Sequence, residues 1–372
     1  MTPSPRGAKM KKKTYFFVFL FVLTMIFFFG QEKILNIKFK KELSMSFSET
    51  DGQFPRGVRW MDADSEGNCY ILDRLAPRIL KFDPEGELIK IFGQNNQEPG
   101  RLESPTFMVT DSMNMLYVHD QAKKALVVFD SDGEFIRYVR YDNTDISFLF
   151  QMVIDASSRF ICGYRPFSEA KEGRDYRISR FDSNFNHQAD IYFRRDVFFE
   201  KEVRRGNLVF SIQPPPFTPK VHWTMDASGR IYVNYSNSYR IKIFSDEGVL
   251  VKEIHRDSPL KEISPAELAL MRKSYGSLEN EFIDLIPFPK FKPPVSGLYL
   301  VEGFLFVRQG AEDTPLTYDI FDNNHTFWGT TTLNFVPFLF KNGCVYAIDT
   351  EQVSRSGGII PAQLVRYGIS FE

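Results

Sequence analysis

Thiols and imidazoles are scarce in this chain. Three cysteines (Cys69, Cys162, Cys344) and five histidines (His119, His187, His222, His255, His325) are spread over 372 residues. Neither set falls at the short spacings that zinc sites use, so no metal and no other cofactor is expected. An odd number of cysteines leaves at least one unpaired. Each falls in or beside the second strand of a repeat described below, where a small buried hydrophobe belongs. The Gly-x-Ser-x-Gly elbow, the phosphate-binding loop and the dinucleotide fingerprint are all missing. An excess of one charge is missing too: 46 bases stand against 47 acids. Five of those bases (Arg6, Lys9, Lys11, Lys12, Lys13) precede the first apolar run, which leaves the remainder mildly acidic. That excludes a phosphate backbone as the expected partner, so no nucleic acid is anticipated.

What is present points to strands. Hydrophobic residues make up 43% and aromatic residues 15%, with 38 phenylalanines, and flat rings suit pleated surfaces. Residues Thr14 to Phe29 form an uncharged, almost wholly apolar run behind the Lys11–Lys13 cluster. A run with a basic flank is a signal anchor or a signal peptide. It ends Phe27-Phe28-Phe29-Gly30, without the small-x-small pattern of a cleavage site, which favours the uncleaved anchor. The sequence thus divides into 1–30 as anchor or signal, 31–42 as linker and 43–372 as the folded body. The body is expected on the outer, periplasmic or extracellular side of a membrane, or secreted if the signal is cleaved.

The body contains an internal repeat. Asp64-Ser65-Glu66-Gly67, then Tyr70-Ile71 and Asp73, continues to Phe82-Asp83 and Gly86. Asp111-Ser112-Met113-Asn114, then Tyr117-Val118 and Asp120, continues to Phe129-Asp130 and Gly133, every position displaced by 47 without a gap. A third copy, Asp226 to Gly229, Tyr232-Val233 and Gly248, keeps the same 22-residue span from Asp to final Gly. Asp-x-x-Gly supplies the left-handed residue of a tight turn, and the apolar stretches between turns alternate as strands do. Four antiparallel strands recurring every forty-odd residues is the signature of a propeller blade.

Weaker copies start at Asp155, Glu302-Gly303 and Asn342-Gly343 and bring the count to six. The sixth has no fourth strand of its own. Leu43-Ser44-Met45-Ser46-Phe47 alternates with period two and is expected to supply that strand and close the ring. The fold class is therefore all-β: a six-bladed propeller of four-stranded antiparallel blades, closed by an N-terminal strand, with a short helical insertion between blades four and five. Ser264-Pro265-Ala266-Glu267 marks the start of that helix, with Leu268, Leu270 and Met271 as its apolar face to about Tyr275. Between blades three and four, Arg194 to Pro219 reads as a long ordered crossing loop or, alternatively, as a lid or partner-docking surface.

With Phe54-Pro55-Arg56-Gly57, the Asp-x-x-Gly-x-x-Tyr-Val-x-Asp core and the linker Phe92-Gly93 to Gly100-Arg101-Leu102, the chain resembles the NHL-repeat and related six-bladed propellers of bacteria. The resemblance covers about residues 43–142 and 219–254. It implies the fold and no single function, because that family includes binding modules, scaffolds and unrelated enzymes.

Propellers usually bind ligands at the channel mouth. On this repeat the mouth maps to Arg56, Arg59, Arg74, Gln151, Lys220, His222 and Tyr235 as candidate ligand-binding residues. Asp73, Asp120 and Asp349 share the neighbourhood but recur as turn caps would. His325, at a blade turn, is expected to be exposed. The function expected is a non-catalytic binding or scaffold module for a protein or carbohydrate partner, with no catalytic residue assigned; the alternative is a channel-mouth hydrolase or lyase.

Overall fold

The computed structural model describes residues 37–46, 58–73, 76–94, 98–142, 144–167, 174–196, 202–205, 208–211, 214–276, 283–284, 286–310, 316–349, 352–353, 359–360 and 363–371. Its strands form six four-stranded antiparallel sheets, each a blade. Blade one runs Val58–Ala63, Cys69–Asp73, Arg78–Phe82 and Leu88–Phe92. Blade two runs Pro105–Thr110, Leu116–Asp120, Ala125–Phe129 and Phe135–Arg140. Blade three runs Ile146–Ile154, Phe160–Pro166, Arg174–Phe181 and His187–Asp196. Blade four runs Val221–Met225, Ile231–Tyr235, Arg240–Phe244 and Leu250–His255; blade five runs Val295–Val301, Phe304–Gln309, Leu316–Phe321 and Phe327–Leu333. Blade six combines Pro337–Lys341, Cys344–Asp349 and Gln363–Phe371 with the N-terminal strand Ile37–Ser46 on its outside. That closing strand begins six residues before Leu43, inside the stretch the sequence suggests is linker. The first strands of neighbouring blades contact one another at five of the six junctions, and at the sixth Gln151 of blade three reaches the Trp223 carbonyl of blade four, so that they surround the axis.

The core is divided by blade interface, as expected when each blade buries both faces against its neighbours. Tyr70, Leu72 and Phe92 meet Met108, Val118 and Val127 between blades one and two. Phe107 and Leu126 meet Leu149 and Phe160 between two and three; Ile161 and Ile178 meet Trp223 and Val233 between three and four. Tyr239 and Ile241 meet Val295 and Leu305 between four and five, and Phe306 and Tyr318 meet Phe39, Phe340 and Phe371 between five and six. The ring then closes through Tyr346 and Leu364 on Met61, Ile71 and Leu80 of blade one. Near the axis the same closure has a polar pin. Lys341 Nζ donates to Asp62 Oδ1 at 2.7 Å and to Thr110 Oγ1 at 2.6 Å, joining blades six, one and two.

The repeat motif has a common structural cause. Asp64 Oδ1 accepts the backbone N–H groups of Glu66 and Asn68, and its Oδ2 accepts the Asn68 amide and the Tyr70 hydroxyl. Asp111 and Asp226 hold their own turns in the same way, with Tyr117 and Tyr232 as hydroxyl donors. The fourth residue of each turn is left-handed: Gly67 at φ 87°, Asn114 at 61° and Gly229 at 82°. Blades five and six use another device. Glu302-Gly303 and Asn342-Gly343 both have positive φ at both residues, the two-residue hairpin turn that matches strand twist.

Four details differ from the sequence reading. Arg194 and Arg195 belong to the outer strand of blade three, and the supposed loop after it contains a hairpin, Glu202–Arg205 with Leu208–Ser211. The helix Pro265–Ser274 has its capping box at Ser264 and Glu267, but of its apolar residues only Met271 is buried and Leu270 is 67% exposed. His325 is half-buried rather than exposed, because its Nε2 meets the Tyr232 hydroxyl of blade four at 3.0 Å. Cys69 and Cys162 are buried, whereas Cys344 is half-buried. The apolar run 14–29 lies outside the described residues, and among the described residues no helix is long and apolar enough to cross a membrane.

Candidate functional site

On the axis lies a cavity of about 340 Å³, walled by the first strands of blades one, three, four, five and six. Trp60, Tyr299, Phe338 and Phe340 give it aromatic faces; Gln151, His222, Thr224 and Ser296 give it hydrogen-bonding groups. Bulges shape this wall. The first strands of blades one, two, five and six each skip one residue near their start, at Arg59, Thr106, Ser296 and Phe338, and blade three does so at Ser147 and Phe150. A bulge frees a residue from the ladder and re-aims its side chain. Phe338, 39% exposed, is one result.

Blade five lines the cavity with Ser296 to Leu300 and carries a polar row behind that lining. Gly297 stands opposite Arg308, and Arg308 opposite Tyr318, so the three lie in one row across the sheet. A Cβ on Gly297 would sit 2.8 Å from the Tyr299 hydroxyl, so the missing side chain is what lets that phenol lie over the row. Tyr299 also packs edge-on to Tyr318, centroids 6.1 Å apart, and against Phe340 at 4.9 Å. Three polar atoms here are buried without a hydrogen-bond partner: Arg308 Nε, the Tyr318 hydroxyl and Ser296 Oγ. Burial raises the Tyr299 and Tyr318 hydroxyls, and the Arg308 charge pulls both back. Burial lowers His222 to about 4, aided by the charges of Lys220 and Arg308, so its ring is neutral at pH 7.

The sequence candidates fare unevenly. Gln151 and His222 line the cavity, and Gln151 also bridges two blades by donating to the Trp223 carbonyl at 3.3 Å. Lys220 is exposed at the start of the blade-four inner strand. Tyr235 is half-buried at the end of the second strand, with the Arg194 guanidinium 3.3 Å over its ring. Arg59 is on the inner strand of blade one, but its side chain lies outside the described residues, as do Arg56 and Arg74 altogether. Asp73 and Asp120 are wholly buried turn caps: Asp120 accepts the N–H groups of Glu103, Ser104, Ala122 and Lys123, and Asp73 that of Ala76 together with the Arg78 side chain. Asp349 ends a strand, and its side chain lies outside the described residues.

Trp60, Ser296, Tyr299, Arg308, Phe338 and Phe340 were not legible as site residues. One signal was available. A glycine inside an apolar strand, Gly297, marks a bulge or a close approach, and here it marks both.

Among the described residues no three of His, Cys, Asp or Glu gather as a metal site would require. No family model matches the chain, and no curated protein matches it in sequence. Solved structures do match in shape. A Bacteroides fragilis protein described as exported aligns with TM-score 0.53 at 14% identity, over 91% of this chain and 96% of its own. A member of the DUF4221 family from Bacteroides vulgatus aligns with TM-score 0.58 at 11% identity, over 92% and 99%. A streptogramin B lyase aligns at 0.43 and 8%, over 92% and 100%, a likeness too loose to bear on chemistry. At these identities the likeness shows a shared fold: the chain is a six-bladed β-propeller with structural neighbours among Bacteroides proteins.

Proposed function

We propose that this propeller is a non-catalytic binding module of the cell envelope that takes the end of a glycan into its axial cavity. The observation that carries the reading is the composition of the cavity wall. Aromatic faces from Trp60, Tyr299, Phe338 and Phe340 surround a few placed polar groups, the pattern of a small-ligand site. Rings of this kind stack on the apolar face of a sugar, while Gln151, Thr224 and Ser296 offer hydrogen bonds to its hydroxyls.

Four buried acids of the blades have other work. Asp62 is held by Lys341 and Thr110, Asp73 and Asp120 cap turns, and Asp319 accepts from Tyr239, Gln309 and Thr330. His222 has no carboxylate to orient it among the described residues, which favours recognition over acid–base chemistry. The basic cluster before the apolar run 14–29 supports a propeller carried outside a membrane, with that run as its anchor or as a cleaved signal. A structural neighbour is itself described as exported.

The test is a glycan array probed with the full chain in detergent and with His222→Trp, which fills the cavity. The expected outcome is retention of a defined glycan that the filled variant loses. Equal retention by both proteins moves the site elsewhere. Mass spectrometry of the retained glycan checks the non-catalytic part, since a hydrolysed or eliminated product contradicts it.

A further inference from the structure

Arg308 stands apart from the other arginines with a buried, unbonded nitrogen. Arg101, Arg177, Arg180, Arg256 and Arg366 each have such an atom, and each has a carboxylate within ion-pair reach: Glu103, Asp145, Asp246, Asp319 and Glu42. Among the described residues Arg308 has none. The acid in the neighbouring strand, Asp319, is no substitute. Asp319 follows Tyr318 in the same strand and so faces the opposite way, where Tyr239, Gln309, Thr330 and Arg256 occupy it.

A half-buried cation without a counter-ion is costly, and so is each buried hydroxyl without a partner. Here one such hydroxyl, Ser296, lines the cavity together with the Tyr299 phenol, while Arg308 and Tyr318 stand behind them in the row that starts at Gly297, and the Arg308 charge bears on both Tyr299 and His222 of the lining. All are donors toward an anion. The lining itself carries no permanent charge, since His222 is neutral at pH 7 and Lys220 is exposed at the start of its strand, so Arg308 behind it is the one cation the row offers. One charge matches a monoanion better than a doubly charged phosphate. A guanidinium fork also fits the two oxygens of a carboxylate.

We propose that the axial cavity binds an acidic sugar, with the ligand carboxylate on Arg308 and the hydroxyls of Tyr299, Tyr318 and Ser296 as further donors, while the pyranose ring lies against the aromatic wall. This rests on the reading of the cavity as the ligand site. It adds the one feature that reading leaves open, the charge of the sugar.

The experiment is isothermal titration of the full chain with D-glucuronate, its neutral methyl ester and glucose 6-phosphate at pH 7. D-glucuronate is expected to bind, with the ester and the phosphate about tenfold weaker or more. Arg308→Met should weaken D-glucuronate by about tenfold or more and bring it level with the ester. Tyr299→Phe, which removes one oxygen and keeps the ring, should weaken it several-fold and leave the ester unchanged. This variant decides the matter if Arg308→Met does not fold. Equal affinity for acid and ester, tighter binding of the phosphate, no binding of D-glucuronate, or wild-type affinity in both variants would each overturn the proposal. If a neutral glycan still binds and His222→Trp still abolishes it, only the acidic-sugar assignment falls. If filling the cavity leaves binding intact, the reading of the cavity falls with it.

Discussion

Asp64 is 1% exposed and takes four hydrogen bonds, two from backbone and two from side chains. Truncating it strips a buried turn of its organiser, so Asp64→Ala should cost about 3 kcal/mol by urea unfolding. Tyr70→Phe removes one donor and keeps the packing, and should cost about 1 kcal/mol. A reversed order would show that the tyrosine contributes mainly through its ring. His119 is a different kind of buried group. Its Nδ1 meets the Thr106 hydroxyl at 2.5 Å and its Nε2 the Tyr141 hydroxyl at 2.6 Å, with Phe107 stacked at 4.8 Å. Burial lowers it from 6.5 to about 3. The unfolded chain therefore takes up a proton as pH falls below 6.5, whereas the folded chain does so only near 3. Stability must fall across that window, and His222, lowered to about 4, adds in the same direction. His119→Phe is expected to be less stable at pH 7.5 but to lose about 2 kcal/mol less on going to pH 5. Unfolding curves at the two pH values check this, and an unchanged pH dependence would contradict it.

At the scale of elements, the closing strand Ile37–Ser46 pairs with Gln363–Phe371 throughout, broken by one irregularity between Lys41 and Leu43. Phe39 faces blade five and meets Phe335 edge-on at 6.1 Å, whereas Lys40 is exposed. Phe39→Asp should detach the strand, so that amides of 363–371 exchange their hydrogens at least about tenfold faster, while Lys40→Asp should leave them protected. Equal protection in both variants would mean that the strand does not hold the blade. The same contrast explains what the sequence could tell. Blades one, two and four announced themselves because one Asp turn with a fixed tyrosine six residues on recurs without a gap. Blades five and six read more weakly, though still legibly, because Glu302-Gly303 and Asn342-Gly343 build a shorter hairpin that needs no aspartate. Blade three keeps Asp155 but carries Ile161 where the tyrosine stands elsewhere. The site was less legible still. Gln151 and His222 could be placed by repeat position, but Ser296 and Phe338 reach the cavity through bulges, and Arg308 stands behind the lining, opposite Gly297. Bulge and register are settled by packing between blades and leave only a stray glycine in the sequence.

For the whole molecule, ring closure makes the axis a fixed chamber. Six apolar interfaces hold the blades, and the Lys341, Asp62 and Thr110 contacts tie the last blade to the first two beside the cavity. The anchor reading makes its own prediction. Membranes washed with alkaline carbonate should retain the full-length chain with residues 1–30 still present by mass, and protease added outside should digest any propeller it can unfold. A soluble product beginning after the apolar run would show cleavage instead. The axial cavity is where the ligand is predicted to sit. A crystal structure of the chain with the glycan retained on the array tests that most directly. The terminal sugar is predicted inside the ring, against Trp60, Tyr299 and Phe340, with its acidic group at Arg308. A glycan seated on the outer strands, with the axis free of it, would contradict the account.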